Sequence, residues 1–236
     1  MKTKLFLTIL LSTLFAMAHL STKAENETRK VEAFSEISLR IPATLYLEQG
    51  PQQSIEIIAK ESTLQKIRTE VKGRQLAIHF PTKNLFWSNF TPGEIEIHIT
   101  VPDIDALTLS GSGKIIGQKN IKSRILNIIV SGSGNIKLSN LTAERVKINL
   151  SGSAITELSG TSTAEDLSVN ISGSGSYKGI RFPASDVNVK MSGSGNVLVN
   201  AQSHLKVRAA GSGDVRYIGN PLIDQSSVGS ATIKKY

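Results

Sequence analysis

The 236-residue chain contains no cysteine, and only 5% of its residues are aromatic. The lack of cysteine excludes a disulfide framework, thiolate-bound zinc, iron–sulfur clusters, a cysteine nucleophile and a lipid anchor on an N-terminal cysteine. Beyond the N-terminal segment, no apolar run approaches the roughly 20 residues that a membrane-spanning helix needs. Hydrophobic residues still make up 39% of the chain, which is enough for a packed core and excludes wholesale disorder.

The N-terminal segment is typical of an export signal. Lys2 and Lys4 precede an apolar stretch over residues 5–18, and a small residue at Ala18 or Ala24 would suit cleavage. An N-terminal membrane anchor is the alternative, but the apolar stretch is short for a bilayer span. We therefore expect residues 1–24 to be a signal peptide and the protein to be exported to the periplasm or the cell surface, or secreted.

The charge that remains after export excludes one class of partner. Removal of residues 1–24 takes away three lysines and no acidic residue, so the formal charge falls from +8 to 24 − 19 = +5. This value is only mildly basic, and an exported protein rarely meets nucleic acid, so we expect no nucleic-acid partner. Envelope glycans and lipid head groups are the polyanions available outside the cytoplasm.

A short motif of serine and glycine recurs through the second half of the chain. Four copies read Ser-Gly-Ser-Gly and three copies are degenerate, with intervals of 21, 20, 21, 20, 18 and 18 residues. The copies start at Ser110, Ser131, Ser151, Ser172, Ser192, Ala210 and Val228. A period near 20 residues with fixed punctuation indicates stacked coils of a repeat protein.

The residues before each motif alternate between apolar and polar side chains. Positions one, three and five before the motif are apolar in the five central copies, as in Leu126, Ile128 and Val130. Strict alternation predicts a strand with one buried face, and a shorter strand follows each motif. About twenty residues can hold one coil of a parallel β-helix, so the sequence predicts an all-β fold, a right-handed parallel β-helix or β-solenoid.

The motif itself is interpreted as a corner between strands, because glycine tolerates the positive φ of a sharp turn. A phosphate-binding loop is disfavoured, since no copy completes Gly-x-Gly-x-x-Gly and no helical pattern follows. Calcium-binding repeats need an aspartate in each copy, and only the copy that starts at Ala210 has one, Asp214. The last copy places Gln225 and Ser227 at buried positions and is interpreted as a closing coil. We therefore expect no cofactor.

The N-terminal third of the exported chain has a different pattern. Residues 25–33 are polar and are expected to form a linker. Residues 34–104 contain alternating runs separated by turn signals, which predict a β-rich N-terminal cap of antiparallel strands, with one short helix between Ser62 and Glu70. The solenoid is expected over residues 105–236, with 34–236 as one continuous domain.

Several phrases in residues 34–236 carry a resemblance to a known family. They are Phe34-x-x-Ile37, Leu45-x-Leu47-x-Gln49-Gly50, Val101-Pro102 and the serial Ser-Gly-Ser-Gly corners. The chain resembles the putative auto-transporter adhesin head GIN domain family, which occurs mainly in exported bacterial proteins. The resemblance implies adhesion and supplies no catalytic residue. The chain departs from the pattern at Ala154 and Ala231, which replace the second glycine of the motif.

Two sets of residues could hold chemistry. His79 and His98 lie at outward strand positions near Glu94 and Glu96, and a zinc site would require their strands to pair. Asp166 and Asp186 would lie about 5 Å apart on adjacent coils, a separation that suits a retaining glycosidase. The alternative is a charge ladder in which Arg145 and His204 neutralise the two aspartates. We expect no metal site, no catalytic residue and no enzymatic activity.

Two surfaces are candidates for binding. Outward strand positions carry amides and cations, among them Asn149, Asn170 and Lys190, which could bind sugar hydroxyls and anionic groups; the alternative is a polar face that keeps the solenoid soluble. The segment 85–90 is aromatic-rich, and its side chains either stack on a sugar or a protein partner or cover the end of the solenoid. Its candidate binding residues are Phe86, Trp87 and Phe90.

These patterns favour non-catalytic, adhesin-like binding of envelope or extracellular glycans or other surface components. One alternative is a structural or regulatory envelope protein that binds a protein partner through the aromatic segment. The other is a glycan-cleaving β-helix enzyme that uses Asp166 and Asp186. The ligand and the oligomeric state do not follow from these patterns.

Overall fold

The computed structural model describes residues 24–81, 90–117 and 119–236. The signal predicted over residues 1–24 therefore lies outside the described residues, apart from Ala24. One short helix, α1 (Glu61–Leu64), accompanies the strands. The strands are β1 (Ala24–Thr28), β2 (Glu36–Leu39), β3 (Thr44–Gln49), β4 (Ser54–Lys60), β5 (Arg68–Lys72), β6 (Gln75–His79), β7 (Glu96–Val101), β8 (Ala106–Gly111), β9 (Lys114–Gly117), β10 (Ile121–Gly132), β11 (Asn135–Leu138), β12 (Leu141–Gly152), β13 (Ile155–Ser159), β14 (Ala164–Gly173), β15 (Ser176–Gly193), β16 (Asn196–Gly211), β17 (Asp214–Ile218), β18 (Leu222–Gly229) and β19 (Thr232–Lys235).

The second half of the chain is a parallel β-solenoid, as predicted. The segment before each corner pairs in register with its equivalents one coil earlier and one coil later, so Ser151 lies between Ser131 and Ser172. We call the sheet formed by these segments the broad face; it contains β8, the C-terminal parts of β10, β12, β14, β15 and β16, and β18. The strands after the corners stack into a second parallel sheet, from β9 to β19.

The alternating positions of the broad face build the core. Ile128, Ile148, Val169, Val189 and Val207 follow one another in register on successive coils, and all are fully buried. Burial of one such side chain is worth about 1.5–3 kcal/mol relative to exposure. Because the side-chain period of a strand is two, a slip of one residue would expose the whole set, so this column also fixes the register.

The Ser-Gly-Ser-Gly motifs form the corners. Gly152, Gly173 and Gly193 have φ of +93°, +113° and +125°, a region that L side chains rarely adopt. The backbone N–H of Ser174 donates to the carbonyl oxygen of Gly152 at 2.8 Å, which links neighbouring corners. Ala154 keeps this pattern, since its carbonyl oxygen accepts a 2.8 Å bond from Ser176 N–H.

The N-terminal region corrects the prediction of an antiparallel cap. Strand β2 lies between β6 and β8 and is parallel to both, and β3 lies between β7 and β9 in the same way. The chain therefore completes the coil of β2 and β3, builds the coil of β6 and β7 outside it, and returns past the first coil to continue as β8. Alternation reports burial but carries no information about the order in which coils stack.

Antiparallel pairing occurs only at the outer rim of this region, among the described residues. Strand β5 pairs with β6, and β4 pairs with both β7 and β1. Residues 25–28, expected to begin the linker, instead belong to β1; backbone pairing holds this polar, exposed strand, so no apolar alternation signals it. The predicted helix is shorter than expected, although Leu64 and Ile67 are buried.

The last coil closes the solenoid in sequence order. Strand β18 pairs in parallel with β16, and β19 pairs with β17. The apolar column that ends at Val207 and Ala209 continues into Gln225 and Ser227, which are exposed. Polar residues at these positions tolerate water at the end of the core.

Candidate functional site

The outward side chains of the broad face form straight ladders, because the coils stack in register. One ladder runs through Ile129, Asn149, Asn170, Lys190 and Arg208, each one strand from the next. Neighbouring strands lie about 4.8 Å apart, so the five positions span about 19 Å. The structure thus brings together Asn149, Asn170 and Lys190, three of the residues predicted from the sequence.

Two amides of this ladder are joined to each other. The Asn170 Nδ2 group donates a hydrogen bond to Asn149 Oδ1 at 3.0 Å, and both side chains are half-buried. Each amide has four hydrogen-bonding sites and uses one of them in this contact. The pair therefore presents further donors and acceptors to solvent in an orientation that the contact holds.

The cations of the broad face differ in their partners. Arg208 holds Asp224 with two hydrogen bonds, from Nη1 at 3.0 Å and from Nη2 at 2.8 Å. The bond from Arg208 lowers the pKa of Asp224 and raises the pKa of Arg208. Lys206 Nζ lies 4.0 Å from the same carboxylate. Lys190 is exposed, and within the described part of the chain it has no ion-pair partner.

A shallow groove of about 570 Å³ follows this ladder and ends at Ser226 and Val228. Most of the surface that lines the groove is apolar, and Ile129, which is 41% exposed, lies at one end. The remaining lining residues are the corner serines Ser131, Ser151, Ser172 and Ser192, the core residues Val130, Leu150, Ile171, Met191 and Ala209, the ladder residues Asn149, Asn170, Lys190 and Arg208, and Ala210. Sequence reasoning missed the groove; the apolar residue at the outward position of Ile129 was the one available signal.

The two aspartates proposed as a catalytic pair lie in a charge ladder at the rim of the broad face. Asp166 and Asp186 occupy equivalent positions on adjacent strands. Arg145 Nε lies 3.3 Å from Asp166, and His204 Nδ1 lies 2.6 Å from Asp186. Both aspartates thus have the basic neighbours that the sequence offered as the alternative to a glycosidase site, and neither aspartate lines the groove.

The histidines of the N-terminal region do not come together. His79 lies on β6, which pairs with β2 and β5, and His98 lies on β7, which pairs with β3 and β4. His98 stacks on Tyr46 with 5.0 Å between ring centroids, and His79 Nδ1 lies 3.0 Å from the Phe80 carbonyl oxygen. Among the described residues, no group of three or more acidic or histidine side chains could hold a metal ion.

The aromatic candidates lie in the N-terminal region. Phe86 and Trp87 are outside the described residues. Phe90 packs edge-on against Phe80 with 5.6 Å between centroids, and Lys66 Nζ lies 3.7 Å from the centre of the Phe90 ring. Phe90 is half-buried in these contacts with the N-terminal region and does not line the groove.

Comparison with known proteins identifies the family and the fold. A family model described as "Putative auto-transporter adhesin, head GIN domain" matches residues 33–221. A search of curated proteins found no match. Within the described residues, no helix is long and apolar enough to cross a membrane.

Solved structures from several bacteria share the fold. A putative adhesin from Bacteroides fragilis has a TM-score of 0.84 and 23% identity, covering 92% of this chain and 98% of that chain. A putative lipid binding protein from Parabacteroides distasonis has a TM-score of 0.75 and 24% identity, with the same coverage. A putative adhesin from Parabacteroides merdae has a TM-score of 0.73 and 18% identity over 92% and 97%.

Proposed function

We propose, from the premise that the chain belongs to the putative auto-transporter adhesin head GIN domain family, that its broad-face groove binds an acidic glycan. The family supports an adhesin-like, non-enzymatic role. The ligand would be an envelope or extracellular surface glycan that carries carboxylate or other anionic groups. Export through the signal in residues 1–24 would place the groove in the periplasm or at the cell surface, where such glycans occur.

The observation that carries the proposal is the chemistry of the groove. Sugars present apolar C–H faces next to hydroxyl groups, and the groove offers an apolar lining next to the Asn149–Asn170 amide pair. Lys190 adds an exposed cation that can meet an acidic substituent. A length of about 19 Å accommodates several sugar units of an extended chain.

A lipid is a second candidate, and one observation favours it. The groove lining is mainly apolar, and one solved structure with this fold is described as a putative lipid binding protein. An acyl chain would use the apolar lining and would gain little from the amide pair. The alternatives of a protein partner at the aromatic segment 85–90, and of glycan cleavage by Asp166 and Asp186, remain predictions.

A glycan array followed by calorimetry tests the proposal. We expect acidic glycans to bind, and Lys190→Ala to weaken binding by about tenfold or less, as fits a partly exposed ion pair worth about 1 kcal/mol. Lys178→Ala is the matched control, because Lys178 is also exposed, lies on the same strand β15 and does not line the groove. Fatty-acid binding without glycan binding would favour the lipid. Equal effects of the two variants would contradict glycan binding in the groove.

A further inference from the structure

Exposed apolar side chains are concentrated at the C-terminal end of the solenoid. Leu222 and Val228, at opposite ends of β18, are 73% and 71% exposed, and Ile223 is 42% exposed. The remaining large hydrophobic side chains that are exposed in the described part of the chain are Ile129 and Tyr236. Monomeric proteins usually avoid such a concentration on one strand, so it indicates a contact surface.

The same strand is an unpaired edge. Strand β18 pairs in register with β16 alone among the described strands, since the following strand β19 pairs with β17. An edge strand presents a row of free N–H and C=O groups that can template another strand, and proteins usually protect it with charge, proline or a covering element. Strand β18 carries a single charged residue, Asp224, which Arg208 neutralises.

We infer that β18 pairs with β18 of a second copy of this chain, antiparallel and centred on Gln225. A two-fold axis through Gln225 places Leu222 of one copy opposite Val228 of the other, and the contact occurs twice. Residues directly opposite in an antiparallel pair share a side of the sheet, so these exposed side chains cover each other.

The register follows from the order of residues along β18. In the proposed pairing, Asp224 lies opposite Ser226, and Ile223 lies opposite Ser227, so no like charges oppose each other. A shift of one residue in each copy toward the N-terminus places Leu222 opposite Ser226, so that both Leu222 side chains lose their apolar partner. The opposite shift places Val228 against Asp224 and leaves Leu222 without an apolar partner. A strand that is complementary to itself in a single register favours a second copy over an unrelated partner.

The two ends of the solenoid differ in this respect. The N-terminal end is closed by the antiparallel strands β1, β4 and β5, and it carries none of the exposed large hydrophobic side chains of the described residues. Pairing through β18 therefore joins two copies end to end at their C-terminal ends and stops there, as expected for a closed dimer rather than a filament.

Disulfide trapping tests the register, because the chain contains no native cysteine. Opposed residues of an antiparallel pair have Cα atoms about 4.5–5.5 Å apart, which suits a disulfide. We expect Gln225→Cys to give a covalent dimer of the full chain on mild oxidation. The matched control is Ser227→Cys on the same side of β18, whose equivalent in the second copy would lie about 13 Å away. Equal cross-linking of the two variants, or none for Gln225→Cys, would overturn the proposal.

A charge-rescue experiment tests the contact without oxidation. We expect the wild-type chain to have a dimeric mass by light scattering, and Leu222→Lys and Val228→Glu each to be monomeric with unchanged β-rich circular dichroism. Mixed together, the two variants should form a heterodimer, since the introduced lysine of one then faces the introduced glutamate of the other at one contact, and the wild-type pair remains at the second contact. A monomeric wild type at every concentration, or a mixture that stays monomeric, would overturn the proposal.

Discussion

Gly173 and Gly152 occupy the same corner on successive coils, and a Cβ added to Gly173 would lie 2.7 Å from the Gly152 carbonyl oxygen. Real Cβ atoms essentially never approach this closely, and the atom in the way belongs to the backbone. Gly173 also has a φ of +113°, which a non-glycine residue adopts only with strain. Two independent constraints therefore require glycine at this corner.

This relationship predicts the effect of alanine at the corners. We expect Gly173→Ala to lower the free energy of unfolding by about 3 kcal/mol or more, because it combines backbone strain of about 1–3 kcal/mol with a steric clash. Gly111→Ala is the matched control, because Gly111 has a φ of +100° at the same corner position but open space around its added Cβ. Urea unfolding measures both variants, and equal losses would show that the stacking contact contributes nothing.

The burial of Tyr177 predicts a loss of folding stability at alkaline pH. The side chain is fully buried, its hydroxyl has no hydrogen-bond partner among the described residues, and burial raises its pKa above the ordinary value near 10. Above about pH 10 the unfolded chain therefore loses a proton that the folded chain keeps, and stability falls by up to about 1.4 kcal/mol per pH unit.

Removal of the hydroxyl should abolish this contribution. We expect Tyr177→Phe to be as stable as the wild type at neutral pH, or more stable by about 1 kcal/mol, because an unsatisfied buried hydroxyl is lost. Above pH 10 the variant should lose less stability than the wild type. Tyr236→Phe, at an exposed residue, serves as the control in the same unfolding experiments. A Tyr177→Phe variant with the alkaline slope of the wild type would contradict this account.

The Arg208–Asp224 pair predicts how the pKa of the Asp224 carboxyl group responds to substitution of its neighbours. The hydrogen bond from Arg208 is the main cause of the lowered pKa of Asp224, and the charge of Lys206 contributes least. We expect Arg208→Gln to raise this pKa toward its ordinary value, as measured by NMR, and Lys206→Ala to raise it much less. Because the folded pKa is lowered, the stabilisation is present above the ordinary carboxyl pKa and is lost as the pH falls through the lowered value. A larger effect of Lys206→Ala would reverse the assignment.

Salt should weaken the binding of an acidic glycan at the groove. Ionic strength screens exposed charges, with a Debye length of about 8 Å near 0.15 M, so affinity should decrease as salt is added. We expect Lys190→Ala to bind more weakly at low salt and to show a smaller dependence on salt, whereas Lys178→Ala should follow the wild type. An unchanged salt dependence in Lys190→Ala would show that this lysine does not interact with the charge of the ligand.

The repeat made most of the solenoid predictable. The buried positions and the corners recur in the sequence at nearly constant intervals. Identical motifs on successive coils therefore pair in register, as Ser131, Ser151 and Ser172 do. The alignment also brought Asn149, Asn170 and Lys190 onto one ladder. The pairing of Arg208 with Asp224 did not follow from the repeat, since Asp224 lies on a coil whose alternation fails.

The sequence by itself determined the coil, the corner and the buried column, because each depends on residues close together in the chain or on an exact repeat of them. Only the tertiary structure decided that β6 and β7 lie outside the earlier coil of β2 and β3, that β1 joins the rim, and that a groove follows the amide ladder. These features depend on pairing between distant segments and on the shape of a packed surface. Periodicity identifies which side of a strand is buried, but which strands pair with each other depends on the fold of the whole chain.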